Sequence, residues 1–387
     1  MGSQKHKISD VSLFIISILL QLGVAIHVLD IMNYQINLYW IATPFIFTIF
    51  LLINHDRMTI YRNSIRFVYA YIILILSIFI FNISYLPFDE MLKQILAICI
   101  GIISIASITS TTSNQFFKYL VITGIPIISA DLLAHLGIIP IASESAVLFP
   151  GFSQGGIGIN TLFGTHGIIV STTVISGISM WRDIDRDDIR LVLSFVICGG
   201  IVSIFASQSR SSVIALFAGF CILGWYKFRN NRLFKPTIII ITLISIFGVF
   251  WLVSLRFQSV IGRLDQVSIA MNILFKNPVQ GIGWDQFMMY SPHPLHFTPL
   301  IYFTSSGIVA GSIFLTIFIY PLIIGFRVVQ NSPNANIRPI IVLISLYVVV
   351  LIEISLYPAT PSVHQVVLGA ILCAVSDKTT AKNYMNS

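Results

Sequence analysis

Charged side chains are scarce in this sequence. Asp, Glu, Lys and Arg make up 10% of its 387 residues, while hydrophobic residues make up 56%. Because a soluble protein carries about 25% charged residues, this composition argues against a soluble globular fold. Apolar runs long enough to span a bilayer recur from end to end of the chain, which indicates a protein embedded in a membrane.

Cysteine is also rare, and its placement argues against two further classes of protein. The four cysteines (Cys99, Cys198, Cys221 and Cys373) all lie inside apolar runs, which argues against a disulfide framework and against a zinc site. The net charge of +7 would suggest a nucleic-acid partner in a soluble protein. Here the placement of the basic residues explains the charge better, and we expect no nucleic-acid binding.

The apolar runs predict helices rather than strands. In hydrocarbon the backbone must satisfy its own hydrogen bonds, which leaves helices or a closed barrel. Barrel strands alternate polar and apolar residues, and the run 236–253 does not alternate. We therefore predict an all-α membrane protein of about twelve transmembrane helices, in a single domain over 1–387. The predicted spans are 11–29, 38–54, 66–86, 92–110, 117–139, 166–181, 189–206, 211–226, 236–254, 298–326, 339–356 and 362–376.

The basic residues between these spans predict the orientation of the chain. With a cytoplasmic N-terminus, 17 of the 22 Lys and Arg residues fall inside, as the positive-inside rule expects. Both termini are then cytoplasmic. The longest connecting segments, 141–165 and 255–297, are both external. The external basic residues are Lys93, Arg210, Arg256, Arg263 and Lys276, so 255–297 holds most of them and is the predicted main periplasmic loop.

The external cations favour an anion as ligand. Arg210 lies in a tight turn between two predicted spans, and Arg263 follows in the main loop. His293 and His296 stand just before the tenth predicted span. Arginine bonds two phosphate oxygens at once, and histidine moves a proton near neutral pH. Arg256 directly follows a span, where reaching the lipid headgroups is its simpler role.

The two histidines also resemble a metal-binding pair. A pair of ligands on one helix face needs an intact helix, and Pro292, Pro294 and Pro299 interrupt it. Neither a cysteine nor a carboxylate cluster stands nearby in the sequence to complete a metal shell. We therefore predict no metal at His293 and His296.

Two acids lie within predicted spans, where an ionisable residue is a candidate for function. Asp131 has His135 one helical turn later, and the two could pair with each other. Tyr357 is near enough in sequence to satisfy Glu353. Structural and functional roles therefore both stay open for these two acids.

Three stretches of the chain share order, spacing and predicted membrane side with the motifs of one family. The first is the run Ser-Gln-Ser-Arg-Ser-Ser at 207–212, before an apolar span. The second runs from Arg263 through an amphipathic stretch to Asn-Pro-Val-Gln-Gly-Ile-Gly at 277–283, and the third is His296 with Leu300 and Gly307. With these motifs the chain resembles the O-antigen ligase and polymerase superfamily of bacterial membrane glycosyltransferases. The likeness covers about 205–315; the remainder matches only in hydropathy and number of spans.

Two positions depart from the family pattern. The family usually has Asn after the histidine and often Glu before the glycine, whereas this chain has Phe297 and Ser305. The external loop is also compact beside that of many ligases, which leaves room for the polymerase activity.

The resemblance implies a GT-C-like bundle with a short helical loop region on the periplasmic side of the bacterial inner membrane. It implies a glycan donor on undecaprenyl diphosphate and catalysis without a cofactor or metal. Arg210 and Arg263 would hold the diphosphate, and His296 would accept the proton of the acceptor hydroxyl or orient it. The lower-ranked candidates for binding substrate are Arg256, His293, Lys276 and Asp265.

Three activities fit this resemblance or the span count. A ligase would move a finished O-antigen onto lipid A–core during lipopolysaccharide biosynthesis, which we favour. A polymerase would instead join it to another lipid-linked repeat unit. A flippase for the same lipid-linked sugar fits twelve spans equally well, but transporters usually place charge near the midplane between two related halves, and no such repeat is visible in this sequence.

Overall fold

The structure is a computed structural model that describes residues 2–23, 27–31, 34–54, 62–81, 88–108, 113–136, 138, 152–153, 156–157, 163–206, 210–228, 257–283, 286–291, 295, 297–331, 337–356 and 363–386. These residues form twelve α-helices. They are α1 (Gly2–Ile18), α2 (Leu38–Asn54), α3 (Arg62–Phe81), α4 (Phe88–Ser107), α5 (Ser113–His135), α6 (Phe163–Met180), α7 (Asp187–Ala206), α8 (Arg210–Phe228), α9 (Phe257–Lys276), α10 (Thr298–Asn331), α11 (Arg338–Leu356) and α12 (Val363–Asn386).

Short elements connect some of these helices. A π-helical turn (Leu19–Gly23) extends α1, and 3-10 turns follow α6 and precede α10 (Trp181–Asp183 and Gln286–Met289). Strands β1 (His27–Ile31) and β2 (Tyr34–Asn37) pair antiparallel, as do β3 (Phe152–Ser153) and β4 (Gly156–Ile157). Both hairpins lie outside the helices, so helices alone form the body of the fold.

The predicted helical membrane architecture is confirmed in its coarse form. All the helices except α9 overlap predicted spans, while the ninth predicted span, 236–254, lies outside the described residues. The additional helix, α9, occupies the predicted main loop. Five helices are long and apolar enough to cross a membrane: Arg62–Ile80, Ser113–Leu133, Asp187–Ala206, Thr298–Asn331 and Arg338–Leu356.

Helix α11 is the centre of the bundle. It is apolar on all sides, as expected of a helix surrounded by others, and it packs against α6, α8, α10 and α12. Two of its polar side chains bond to backbone carbonyls of its neighbours. Ser345 Oγ donates to the Gly219 carbonyl oxygen (2.7 Å), and Tyr347 Oη donates to that of Phe318 (3.2 Å).

Helix α6 joins three neighbours through glycines. Its consecutive residues Thr173, Val174 and Ile175 each press against the glycine of a different helix: Gly124 of α5, Gly200 of α7 and Gly219 of α8. A β-carbon at any of these glycines would overlap the facing side chain. Small residues let helices approach closely where hydrophobic burial drives association only weakly, so these contacts fix the spacing of the bundle.

The outward surfaces of α3 and α7 are apolar. Leu76 of α3 is 53% exposed, and Leu191 and Phe205 of α7 are 73% and 61% exposed. Large apolar side chains exposed in rows along candidate spans are suited to contact with lipid. The bundle therefore keeps its few polar groups inward.

Polar contacts join the helices at the two ends of α11. At its start, Arg338 Nη1 donates to Asp183 after α6 (2.7 Å). At its end, Thr298 of α10 donates to the Ile354 carbonyl oxygen (2.7 Å). Because Gly167 at the start of α6 lies beside Glu353 near the end of α11, helix α11 runs antiparallel to α6.

Candidate functional site

The structure describes the predicted site residues unequally. Arg210 is the first residue of α8, and its side chain lies outside the described part of the chain. Arg263 lies on α9 and is exposed. Three of the predicted residues, Arg256, His293 and His296, lie outside the described residues. The site is therefore built here from the described neighbours of the predicted residues.

The first motif reaches the end of α11 through its serines. The hydroxyls of Ser211 and Ser212, in the first turn of α8, lie beside the carboxylate of Glu353. Glu353 is fully buried in α11. Gly167 of α6 closes this cluster from the opposite side, and a β-carbon there would overlap both Ser212 Oγ and Glu353 Oε1. The position after Arg210 is thereby fixed against α11.

The third motif reaches the same end of α11. Thr298 stands two residues beyond position 296, and its Oγ1 donates to the carbonyl oxygen of Ile354 (2.7 Å). Ile354 directly follows Glu353 in the chain. The start of α8 and the start of α10 therefore meet at two consecutive residues of α11, although 86 positions separate Ser212 from Thr298 in the sequence.

Helix α10 is sharply bent rather than a single straight span. Gly307 has a left-handed φ of 77° inside it. The rings of Tyr302 and Phe314 stack with centroids 4.0 Å apart, whereas twelve residues of a straight helix would separate them by about 18 Å. The 298–306 segment thus folds back along the 308–331 segment. The latter, at about 36 Å, is long enough to span a membrane by itself.

The bend in α10 exchanges hydrogen bonds with the second motif. The backbone N–H groups of Ile282 and Gly283 donate to the carbonyl oxygens of Thr304 (2.9 Å) and Ser305 (3.0 Å). In return, the N–H of Ile308 donates to the Pro278 carbonyl oxygen (2.7 Å). Because α10 breaks at Gly307, the Thr304 and Ser305 carbonyl groups and the Ile308 N–H group do not take their usual partners within the helix. Each backbone therefore satisfies the other where a broken helix would otherwise leave buried polar groups unpaired.

Glycine is required at this junction for two reasons. Gly281 and Gly307 both have positive φ, of 67° and 77°, a region that costs other residues about 1–2 kcal/mol. A β-carbon at Gly281 would also overlap the Thr304 and Ser305 backbone, and one at Gly307 would overlap that of Val279. The second and third motifs are thus one packed unit in the structure.

Helix α9 packs on this unit through one side. Ala270 and Ile273 of α9 form an apolar cluster with Phe287, Leu295 and Leu300. Leu295 directly precedes position 296. The apolar cluster therefore sets α9 against the segment that carries the third motif.

The predicted substrate-binding residues of α9 lie on different sides of the helix. Arg263 lies seven residues before Ala270, which places it on the buried side, beyond the packed region. Asp265 and Lys276 lie on a different side, which they share with Asn272, and both are exposed. Arg263 therefore faces away from Asp265 and Lys276, and the helix cannot present all three residues to one small ligand without bending.

The two fully buried acids, Asp131 and Glu353, lie beside hydroxyls of neighbouring helices in the described interior. Asp131 of α5 is fully buried and accepts a hydrogen bond from Ser203 Oγ of α7. The predicted partner of Asp131, the His135 side chain, lies outside the described part of the chain, as does Tyr357 near Glu353. Sequence spacing could not reveal Ser203, because it lies 72 positions away on another helix.

Metal ligands are not grouped in the part of the chain that the structure describes. No set of three or more His, Cys, Asp or Glu side chains converges there. The described cysteines are separate and free, in four different helices.

Comparison with known proteins does not extend the sequence motifs. No protein-family model matches the chain, and no curated protein matches it with significant similarity. The resemblance described above rests on the motif residues alone.

Proposed function

We propose that this protein is a metal-independent membrane glycosyltransferase. It transfers an oligosaccharide or polysaccharide from undecaprenyl diphosphate to a sugar hydroxyl at the periplasmic face of the bacterial inner membrane. In this proposal the chain has about twelve spans, a GT-C-like arrangement and cytoplasmic termini. Of the two enzymatic reactions, O-antigen ligation to lipid A–core is favoured over polymerisation of lipid-linked repeats.

One observation carries this proposal. Three stretches that the sequence links only by resemblance are joined by specific contacts: Ser212 to Glu353, Thr298 to Ile354, and the 277–283 segment to the bend at Gly307. Contacts this specific are expected if the three motifs act together on one substrate. A shared location is what a two-substrate transfer reaction needs.

The contacts between helix ends also agree with the predicted orientation. Asn63 N donates to Asp377 (2.9 Å) and Arg338 bonds Asp183, and all four residues are cytoplasmic in that orientation. Ser212, Thr298 and Ile354 all fall on the other side. Each of these polar contacts therefore joins residues from the same predicted side.

The proposed reaction is a direct displacement. The acceptor hydroxyl oxygen attacks the anomeric carbon of the donor, and the bond from that carbon to the diphosphate oxygen breaks. His296 takes the hydroxyl proton, while Arg210 and Arg263 neutralise the charge that develops on the leaving undecaprenyl diphosphate. Attack from the face opposite the leaving group inverts the anomeric configuration.

Purified protein in liposomes tests this function. The assay supplies a lipid-linked oligosaccharide as donor and offers either lipid A–core or a second lipid-linked repeat unit as acceptor. A new glycosidic bond to lipid A–core supports ligation, and a bond to the repeat unit supports polymerisation. Translocation of the donor without a new bond would identify a flippase and contradict the proposal.

Alanine variants test the assigned residues. Arg210→Ala, Arg263→Ala and His296→Ala should each abolish transfer while the protein still accumulates in the membrane. Arg210→Lys should restore only part of the activity, because an ammonium keeps the charge but loses the paired donors of the guanidinium. Full activity in any two of the alanine variants would contradict the assignment.

A further inference from the structure

Glu353 is an acid in an unusual place. It is fully buried in α11, among apolar residues such as Val349, Val350 and Ile354. A carboxylate in such surroundings is unfavourable unless polar groups or positive charge compensate it. The groups that face Glu353 therefore indicate why an acid stands there.

The first turn of α8 supplies this compensation. The N-terminal turn of a helix has N–H groups without helical acceptors and carries a partial positive charge. The Ser211 and Ser212 hydroxyls of this turn lie beside the Glu353 carboxylate, and Gly167 leaves the space that the two helices need. Glu353 therefore acts as an anchor for the start of α8.

The next residue anchors the start of α10. Helix α11 ends at Leu356, so the Ile354 carbonyl is among its last four and has no acceptor role within the helix. It accepts the hydrogen bond from Thr298 Oγ1 instead. The C-terminal end of α11 thus contacts α8 through the Glu353 carboxylate and α10 through the Ile354 carbonyl oxygen.

We propose that the Glu353–Ile354 end of α11 is the positioning element of the site, with Glu353 as a positioning residue. It fixes the first turn of α8, which begins at Arg210, relative to the start of α10. This inference rests on the proposed transferase function.

Two substitutions separate positioning from general stability. Glu353→Gln keeps the side-chain shape and removes the charge, while Thr298→Val keeps the shape and removes the hydrogen bond. Because small misplacements of reacting groups are costly, we expect kcat to fall by on the order of 100-fold in each, with a much smaller change in the KM for the donor. Thr298→Ser, which keeps the hydroxyl, should restore most of the kcat.

Ser345→Ala is the matched control. It removes a hydrogen bond to the Gly219 carbonyl oxygen that is as long as the Thr298 bond. Like the Glu353 contact, this bond joins α11 to α8, but it lies away from the site. We expect its kcat to stay within about twofold of the unmodified protein, in line with the modest cost of one hydrogen bond. Equal losses of kcat in Ser345→Ala and Thr298→Val, or unchanged kcat in both Glu353→Gln and Thr298→Val, would overturn the inference.

A distance measurement tests the positioning without an activity assay. Spin labels are placed at positions 214 and 297, in a protein whose native cysteines have been replaced. Pulsed electron paramagnetic resonance should give a narrow distance distribution that broadens or shifts in Glu353→Gln and not in Ser345→Ala. An unchanged distribution would overturn the inference. If the distribution does respond but no acceptor is glycosylated, the proposed function fails while the anchoring by Glu353 stands.

Discussion

Tyr302 and Phe314 stack with their rings 1° from parallel and their centroids 4.0 Å apart, although twelve residues separate them in one helix. The contact exists because α10 reverses its course at Gly307. Gln94 of α4 adds a hydrogen bond from its Nε2 to Tyr302 Oη (2.8 Å). The folded-back 298–306 segment is therefore held at two points of one buried tyrosine, the ring face and the hydroxyl group.

Truncation of this tyrosine should loosen the bend. Tyr302→Ala removes the ring from a fully buried position, and we expect a loss of about 3–5 kcal/mol of stability. Tyr302→Phe keeps the stack and loses only the bond to Gln94, at about 1–2 kcal/mol. Thermal unfolding in detergent measures the two variants. A Tyr302→Phe variant that unfolds as early as Tyr302→Ala would show that the hydrogen bond, and not the stack, holds the segment.

The glycine junction gives a second expectation. Gly307→Ala and Gly281→Ala each introduce a β-carbon that overlaps backbone atoms at positive φ, so both should lower the unfolding temperature and reduce transfer. Gly224→Ala in α8 is the control, because no described atom lies within 4 Å of the added carbon. A helical Gly→Ala change there should stabilise the protein by about 0.5–1 kcal/mol. Equal changes of unfolding temperature in Gly307→Ala and Gly224→Ala would contradict the requirement for glycine at the junction.

The helices were predictable because hydropathy records them directly. Segments such as 66–86 and 189–206 are predominantly apolar, and helices α3 and α7 cover most of them. The reversal inside 298–326 was not predictable in this way, because apolar residues continue on both sides of Gly307. A single glycine in an apolar helix has many possible roles, and only the partner backbone at 278–283 distinguishes a break from a close helix contact.

The site was predictable in its motifs but not in its supports. Arginine and histidine on the external side of a membrane protein are recognisable from the sequence as candidate site residues, because the positive-inside rule disfavours positive charge there. Glu353 could be recognised as unusual, yet its contacts with Ser211 and Ser212 join residues 142 and 141 positions apart in the sequence. Long-range pairing of this kind leaves no periodicity in a single sequence.

The two polar sides of α9 lead to a third expectation. Both cations are exposed, but Arg263 lies on the side of α9 that continues the packed face and Lys276 lies on a different side. Arg263→Ala should therefore abolish transfer, and Lys276→Ala should reduce it only slightly, because a cation away from the packed face contributes mainly to long-range attraction of the anionic donor. Rates measured at low and high salt check this. Salt should diminish the small Lys276→Ala effect by screening, and a loss from Lys276→Ala as large as that from Arg263→Ala would contradict the separation of the two sides.

Lys378 gives an expectation about pH. It lies on α12 beyond the predicted span, and burial lowers the pKa of its ammonium to about 8 from the usual 10.5. Between these pH values the unfolded chain binds the proton that the folded chain has lost, so stability should rise as the pH increases from 8 toward 10.5. Lys378→Met retains an unbranched side chain without a charge. We expect it to unfold at a higher temperature than the unmodified protein at pH 7, with the difference narrowing toward pH 10. The opposite order at pH 7 would show that the ammonium stabilises the fold through its contacts by more than its burial costs.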